Sequence, residues 1–225
     1  YSEFNINLKI LGEINYQFIP QPHLIINKAN LNLNPKKKNT SIIQTENIKI
    51  FISAKNLYPK SNLKLNKVEI QNTNFKFKFH DIKNFHDFLY NKKNNKIIIK
   101  KSKLFYLDKD NNVILISPIS NLSYSINQKD NYKKLKIKGN IFDIEYDSLW
   151  KRYNATPQKS YTELKFKKPK IILKNLHDFE SNSKFSGESS ISFLNDSITI
   201  RYFVEDKKIR IISPNLNEKI KIISN

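Results

Sequence analysis

Apolar and polar residues alternate with a period of two through nearly the whole chain. No other feature constrains the fold as strongly. Phe75, Phe77 and Phe79 alternate with Lys76 and Lys78, and Leu135 and Ile137 with Lys134, Lys136 and Lys138. Leu164 and Phe166 alternate with Glu163, Lys165 and Lys167, and Ile198, Ile200 and Tyr202 with Thr199 and Arg201. Successive side chains of a strand point to opposite faces, so each run has one dry face and one wet face, as in an antiparallel sheet. Ile, Phe and Tyr suit strands, and only three Ala favour helix. The expected fold is mainly β: a long antiparallel, strongly twisted sheet, curled into an open groove or closed as a sandwich.

The alternation places strands at about 3–19, 22–34, 41–54, 62–79, 96–107, 112–126, 132–147, 160–174, 184–194, 197–205 and 207–213. Lys109-Asp110-Asn111-Asn112 and Asn195-Asp196 carry tight-turn chemistry between alternating runs and predict hairpins. Several runs change phase midway. Leu63 and Leu65 are odd, Val68 and Ile70 even, and Phe75 odd again, which requires a bulge or bend within the strand. One short helix is expected over Ile82–Leu89, capped by Asp81, with Ile82, Phe85, Phe88 and Leu89 on one face. The 225 residues read as a single domain, with 150–160 as the one place for a subdivision; Asn154–Ser160 serves equally as a linker or a long hairpin loop.

Charge excludes less than it first suggests. Forty Lys and Arg against 20 Asp and Glu give a formal net charge of +20, which attracts phosphates of lipid or nucleic acid. Yet 37 of the basic residues are Lys, and Lys, Ile and Asn together make up 102 residues, a bias that AT-rich codons produce without selection for a basic surface. The charge also splits evenly, +12 over residues 1–112 and +8 over 113–225, so there is no basic tail. The densest spots are Lys36-Lys37-Lys38 and the group containing Lys92 and Lys93. On strand edges and loops such lysines also guard against edge-to-edge aggregation.

Catalytic patterns are missing. Without Cys there is no disulfide, thiolate metal site or thiol nucleophile, and three Gly leave no phosphate-cradling loop. His80-Asp81, His86-Asp87 and His177-Asp178 resemble metal-site dipeptides, but their spacing matches no ligand set, and exposed His at loop edges is the plainer reading. Ser186-Gly187-Glu188-Ser189 lacks the context of a nucleophile elbow. Asp143, Glu145 and Asp147 would share one strand face as part of a polar surface. The expectation is a protein that is not an enzyme and uses no cofactor or metal.

What remains is an apolar sheet face with little to cover it. A second sheet, closure on itself, or an apolar ligand could each hide it; curled into a trough, the sheet would present Ile and Phe to acyl chains and Lys to phosphate head groups. A basic sheet with exposed aromatics such as Phe75 and Phe77 could instead stack bases, which makes nucleic-acid binding the alternative. A structural β-sandwich is the third.

The opening of the chain resembles a known family. Gly12-Glu13-Ile14-Asn15-Tyr16-Gln17-Phe18-Ile19-Pro20-Gln21-Pro22-His23-Leu24-Ile25-Ile26, followed by Ala29-Asn30-Leu31-Asn32-Leu33, looks like the start of AsmA-like proteins. There a Gly-x-hydrophobic-x-aromatic strand leads through Pro into a second alternating strand. Glu46–Ile52, Leu63–Phe75, Lys96–Asp108 and Leu135–Asn140 then resemble the family's later strands in order, so the resemblance covers about residues 10–140. The Lys and Asn bias departs from the family's usual Gly, Ala and Arg.

The resemblance implies a periplasmic domain of the bacterial envelope, held to the inner membrane and related to TamB-like and bridge-type lipid carriers. It implies phospholipid as partner and no catalytic residues. Phe75, Phe77, Phe79, Ile97, Ile99, Leu135, Ile137, Leu164 and Phe166 are then candidates to line or floor a lipid groove. Lys36, Lys37, Lys38, Lys92 and Lys93 are candidates to meet head groups. No apolar run of about 18 residues and no signal-peptide pattern occur in the sequence, so the anchor is expected outside this piece of a longer chain.

Overall fold

A computed structural model describes residues 7–32, 42–53, 65–78, 96–154, 158–181, 184–206, 208–213 and 219–223. Every regular element among them is a strand. In chain order these are β1 (Asn7–Ile10), β2 (Ile14–Gln17), β3 (His23–Asn32), β4 (Ile42–Ile52), β5 (Leu65–Lys78), β6 (Lys96–Leu107), β7 (Val113–Asn127) and β8 (Tyr132–Ile141). There follow β9 (Ile144–Tyr153), β10 (Gln158–Phe166), β11 (Ile171–Phe179), β12 (Lys184–Phe193), β13 (Asp196–Glu205), β14 (Lys208–Ile212) and β15 (Lys219–Ile223). Hydrogen bonding follows this order from β1 and β3 to β15, with β2 also on β3. The fold is thus mainly β, an open sheet, as the alternation predicts. The expected helix at 82–89 lies outside the described residues.

The sheet is mixed rather than wholly antiparallel. β5 and β6 run parallel, pairing Val68 with Ile97 and Ile70 with Ile99. Parallel neighbours need a crossover, and the 17 residues between Lys78 and Lys96 are long enough for one. Alternation reports which face a side chain takes but not the direction of the neighbouring strand.

The chain divides into two compact units, residues 1–126 with 138–143, and residues 127–137 with 144–225. In the first, the phase changes read from sequence fall on one line across five strands. Lys28 in β3, Asn72 in β5 and Lys101 in β6 have φ of 52°, 51° and 48°, while Glu46 in β4 and Ser120 in β7 occupy the matching register positions. On one side of the line Ile26, Ile48, Ile70, Ile99 and Leu122 are buried; on the other, Ala29, Thr45, Thr73, Ser102 and Ile119. Each strand spends one extra residue at the line, so even and odd positions exchange faces together and the dry face stays continuous.

Small side chains line the far side of this bend, where their hydroxyls bond the backbone. Ser102 Oγ accepts the Thr73 N–H at 3.2 Å and donates to the Lys100 carbonyl at 2.9 Å. Thr73 Oγ1 donates to Thr45 Oγ1 at 2.7 Å and lies 3.1 Å from the Gln71 carbonyl. Buried backbone groups must find partners, and here hydroxyls supply them where the ladder is interrupted.

In the second unit β9 to β15 pair antiparallel in sequence order. Two hairpins of the chain interrupt runs that the alternation reads as single strands. The expected strand 132–147 turns at Phe142 and Asp143, whose φ are 49° and 62°, and the expected strand 160–174 turns at 167–170. A two-residue turn of this kind ordinarily carries Asn or Gly, so Phe142-Asp143 gave no turn signal. Asp143 therefore leaves the expected carboxylate row, and Glu145 and Asp147 remain on one face of β9. Of the linker-like stretch 154–160, Gln158 to Ser160 belong to β10, which pairs antiparallel with β9, and residues 155–157 lie outside the described residues. The turn predicted at 109–112 forms; the hairpin predicted at Asn195-Asp196 forms one residue earlier, with Leu194 and Asn195 as its turn and Asp196 in β13. Asp108 accepts the N–H groups of Asp110 at 2.9 Å and Asn112 at 2.8 Å, which closes the first.

Candidate functional site

The two units treat their apolar faces differently. Among the described residues, 14 of the 15 buried apolar side chains lie in the first unit, and Tyr146 is the exception. Phe75, Phe77, Ile97 and Ile99 are 1–4% exposed, and the two Phe rings stack at 6.0 Å. They pack as core, which leaves Phe75 and Phe77 unable to serve as base-stacking platforms. Leu135, Ile137, Leu164 and Phe166 are only half-buried, and all belong to β8 or β10 of the second unit. Phe79, Lys36, Lys37, Lys38, Lys92 and Lys93 lie outside the described residues.

Register shows how the second unit gathers its open face. Leu164, Leu173, Ile191 and Ile198 form one row across β10 to β13; Phe166, Ile171 and Phe193 form the next. Ile191, Phe193 and Ile198 are 53, 48 and 58% exposed, far more than ordinary core residues. Contiguous exposed apolar side chains of this kind mark contact surfaces. On the opposite face the charges pair: Lys165 with Glu163 and Arg201 with Glu188, each at 3.0 Å, and Lys159 with Asp178 at 3.8 Å.

Further along the same apolar face the rows turn polar. Arg152, Ser160, His177, Gly187 and Tyr202 are in register. Gly187 has no side chain, and the Tyr202 ring occupies the space a Cβ there would need. The Tyr202 hydroxyl thereby reaches Asn175 Oδ1, donating at 2.8 Å, and His177 Nδ1 at 2.6 Å. Ser189 also donates to Asn175 Oδ1, at 3.0 Å. With the Tyr202 proton given to Asn175, His177 donates from Nδ1 and keeps its Nε2 lone pair. Phe179 and Phe185 flank its ring at 4.4 and 5.0 Å. Burial lowers the His177 pKa against the opposing pull of Asp178, so the imidazole is held neutral.

His177 is not the exposed loop residue expected from sequence, and His80 and His86 lie outside the described residues. His23 is buried, stacks on Phe51 at 4.8 Å and bonds the Gln21 carbonyl at 2.7 Å. His177 and Asp178, adjacent in sequence, point to opposite faces, so the dipeptide cannot act as one site. Its partner Tyr202 is 25 residues away, where spacing gives no signal; a lone mid-strand glycine was the only trace. Among the described residues no three His, Asp or Glu converge as a metal site requires.

A scan against protein-family models and searches of curated proteins and solved structures return no match to this chain.

Proposed function

We propose that this chain is a non-enzymatic, AsmA-like domain of the bacterial envelope, periplasmic and held to the inner membrane, that binds or conducts phospholipid. One observation carries the reading: the half-exposed apolar face of the second unit, with Leu164, Leu173, Ile191 and Ile198 in one row and Phe166, Ile171 and Phe193 in the next. Acyl chains covering these residues would remove them from water at a gain of about 25 cal/mol for each Å² of apolar area. The resemblance in residues 10–140 supports the same function. In this reading the first unit's buried Phe75, Phe77, Ile97 and Ile99 floor the sheet, and lipid contact falls to Leu135, Ile137, Leu164 and Phe166.

Purification in mild, lipid-free buffer followed by native mass spectrometry should find co-bound phospholipid. Ile191→Glu with Ile198→Glu should strip it, with the strand signal in far-ultraviolet circular dichroism unchanged. A clean lipid-free mass for the wild type, together with no crosslinks from either residue to acyl chains in membranes, would count against the function.

A further inference from the structure

The open face of the second unit is graded from apolar to basic, and the grading is written in its register. Asn154 donates its N–H to the Asn131 carbonyl at 3.0 Å, and the Tyr132 and Tyr153 rings lie 5.7 Å apart. Continuing this antiparallel register by one residue sets Lys133 opposite Arg152. Both then share the face of Ser160, His177, Leu164 and Phe166, while Tyr132 and Tyr153 take the other. The same alternation sends Glu145, Asp147, Glu163, Asp178, Glu188 and Glu205 to the opposite face. Asp196, at the far turn, is the one acid of β9 to β13 on the open face.

Two cations held side by side on such a face repel one another. Lys133 loses proton affinity through burial and through the neighbouring Arg152 charge. The Arg152 guanidinium lies 5.5 Å from the Phe179 ring and bonds Gln158, which keeps it along the sheet. A bound anion would relieve the repulsion, and an Arg fork is suited to a phosphate. From the Arg152 row to the Phe166 row, opposite Tyr146, is six residues along β9, roughly 20 Å at 3.3–3.4 Å each. Trp150 stands between the two ends, opposite Thr162.

We infer that this face binds an anionic phospholipid in one orientation, its phosphate at Lys133 and Arg152 and its acyl chains along Leu164, Leu173, Ile191 and Phe166. This rests on the lipid reading above and adds to it a head-group site and a charge preference. His177 Nε2 and the Ser160 hydroxyl, in the same row, are the further polar groups available to a head group.

The test uses the full chain and short-chain lipids below micelle formation, phosphatidylglycerol against phosphatidylcholine with identical tails. The reporter is quenching of Trp150 by brominated tails. Wild type should bind phosphatidylglycerol roughly tenfold more tightly, as the loss of a charge-assisted bond would predict. Lys133→Gln with Arg152→Gln should weaken phosphatidylglycerol binding more than phosphatidylcholine binding and so equalise the two lipids, and Arg152→Lys should keep part of the preference. Lys159→Gln with Lys165→Gln, on the opposite face, removes the same net charge and should change nothing. The head-group site is overturned if the preference survives the first pair or falls equally with the second. It is also overturned if glycerol phosphate alone binds as tightly as the lipid. If neither lipid binds wild type, the lipid function itself fails.

Discussion

Glu69 shows how a charge is kept within a sheet. Its carboxylate is buried, with Lys100 at 3.0 Å, Lys67 at 3.5 Å and the Gln71 amide donating at 2.6 Å. Burial pushes its pKa up, but the hydrogen bonds from Lys100 and Gln71 and the charges of Lys100 and Lys67 outweigh this, and the net shift is down from 4.5. A carboxylate whose folded pKa is depressed adds stability above its unfolded pKa and loses it as pH falls through the folded value. Glu69→Gln should therefore cost about 1–2 kcal/mol at pH 7. That difference should shrink as pH drops below about 4.5. Amide exchange of β5 and β6 peptides, compared at the two pH values, measures it; an equal gap at both would mean that packing and not charge is responsible.

At the scale of elements, the bend across β3 to β7 is the best case of structure legible in sequence. The change from Val68 and Ile70 to Phe75 announced it, because apolar side chains must stay on one face and only an extra residue permits that. Its chemistry was less legible. Nothing marked Thr45, Thr73 and Ser102 as partners, since they come from three strands separated by 28 and 29 residues. Thr73→Val removes a buried hydroxyl that bonds Thr45 and should destabilise the first unit by about 1–3 kcal/mol. Asn72 has φ of 51°, so Asn72→Gly should be nearly neutral, whereas Asn72→Val should cost about 1–2 kcal/mol. Exchange rates of the β4 and β5 amides report both; a tolerated valine at 72 would show that the bend does not depend on left-handed backbone there.

Over the whole chain, buried apolar side chains are concentrated in one unit and exposed ones define the candidate face of the other. Protection against exchange should follow burial. Amides of β3 to β7 should exchange more slowly than those of β10 to β13. Addition of an anionic phospholipid should slow the latter group and leave the former unchanged. Uniform slowing in both units would instead indicate general stabilisation by charge neutralisation of a chain at +20.

By itself, the sequence determined that the chain is β, where most strands run, which residues share a face and where strands must bend. Those properties follow from a period of two and from the demand that apolar side chains face one way. Tertiary structure decided what no local pattern encodes. It made β5 and β6 parallel, turned the chain at Phe142-Asp143, and brought His177 to Tyr202 across a glycine. It also sealed Phe75 and Phe77 inside one unit while leaving Leu164 and Phe166 half-open in the other. The reason is that alternation describes one strand at a time, whereas burial and partnership depend on which strands become neighbours.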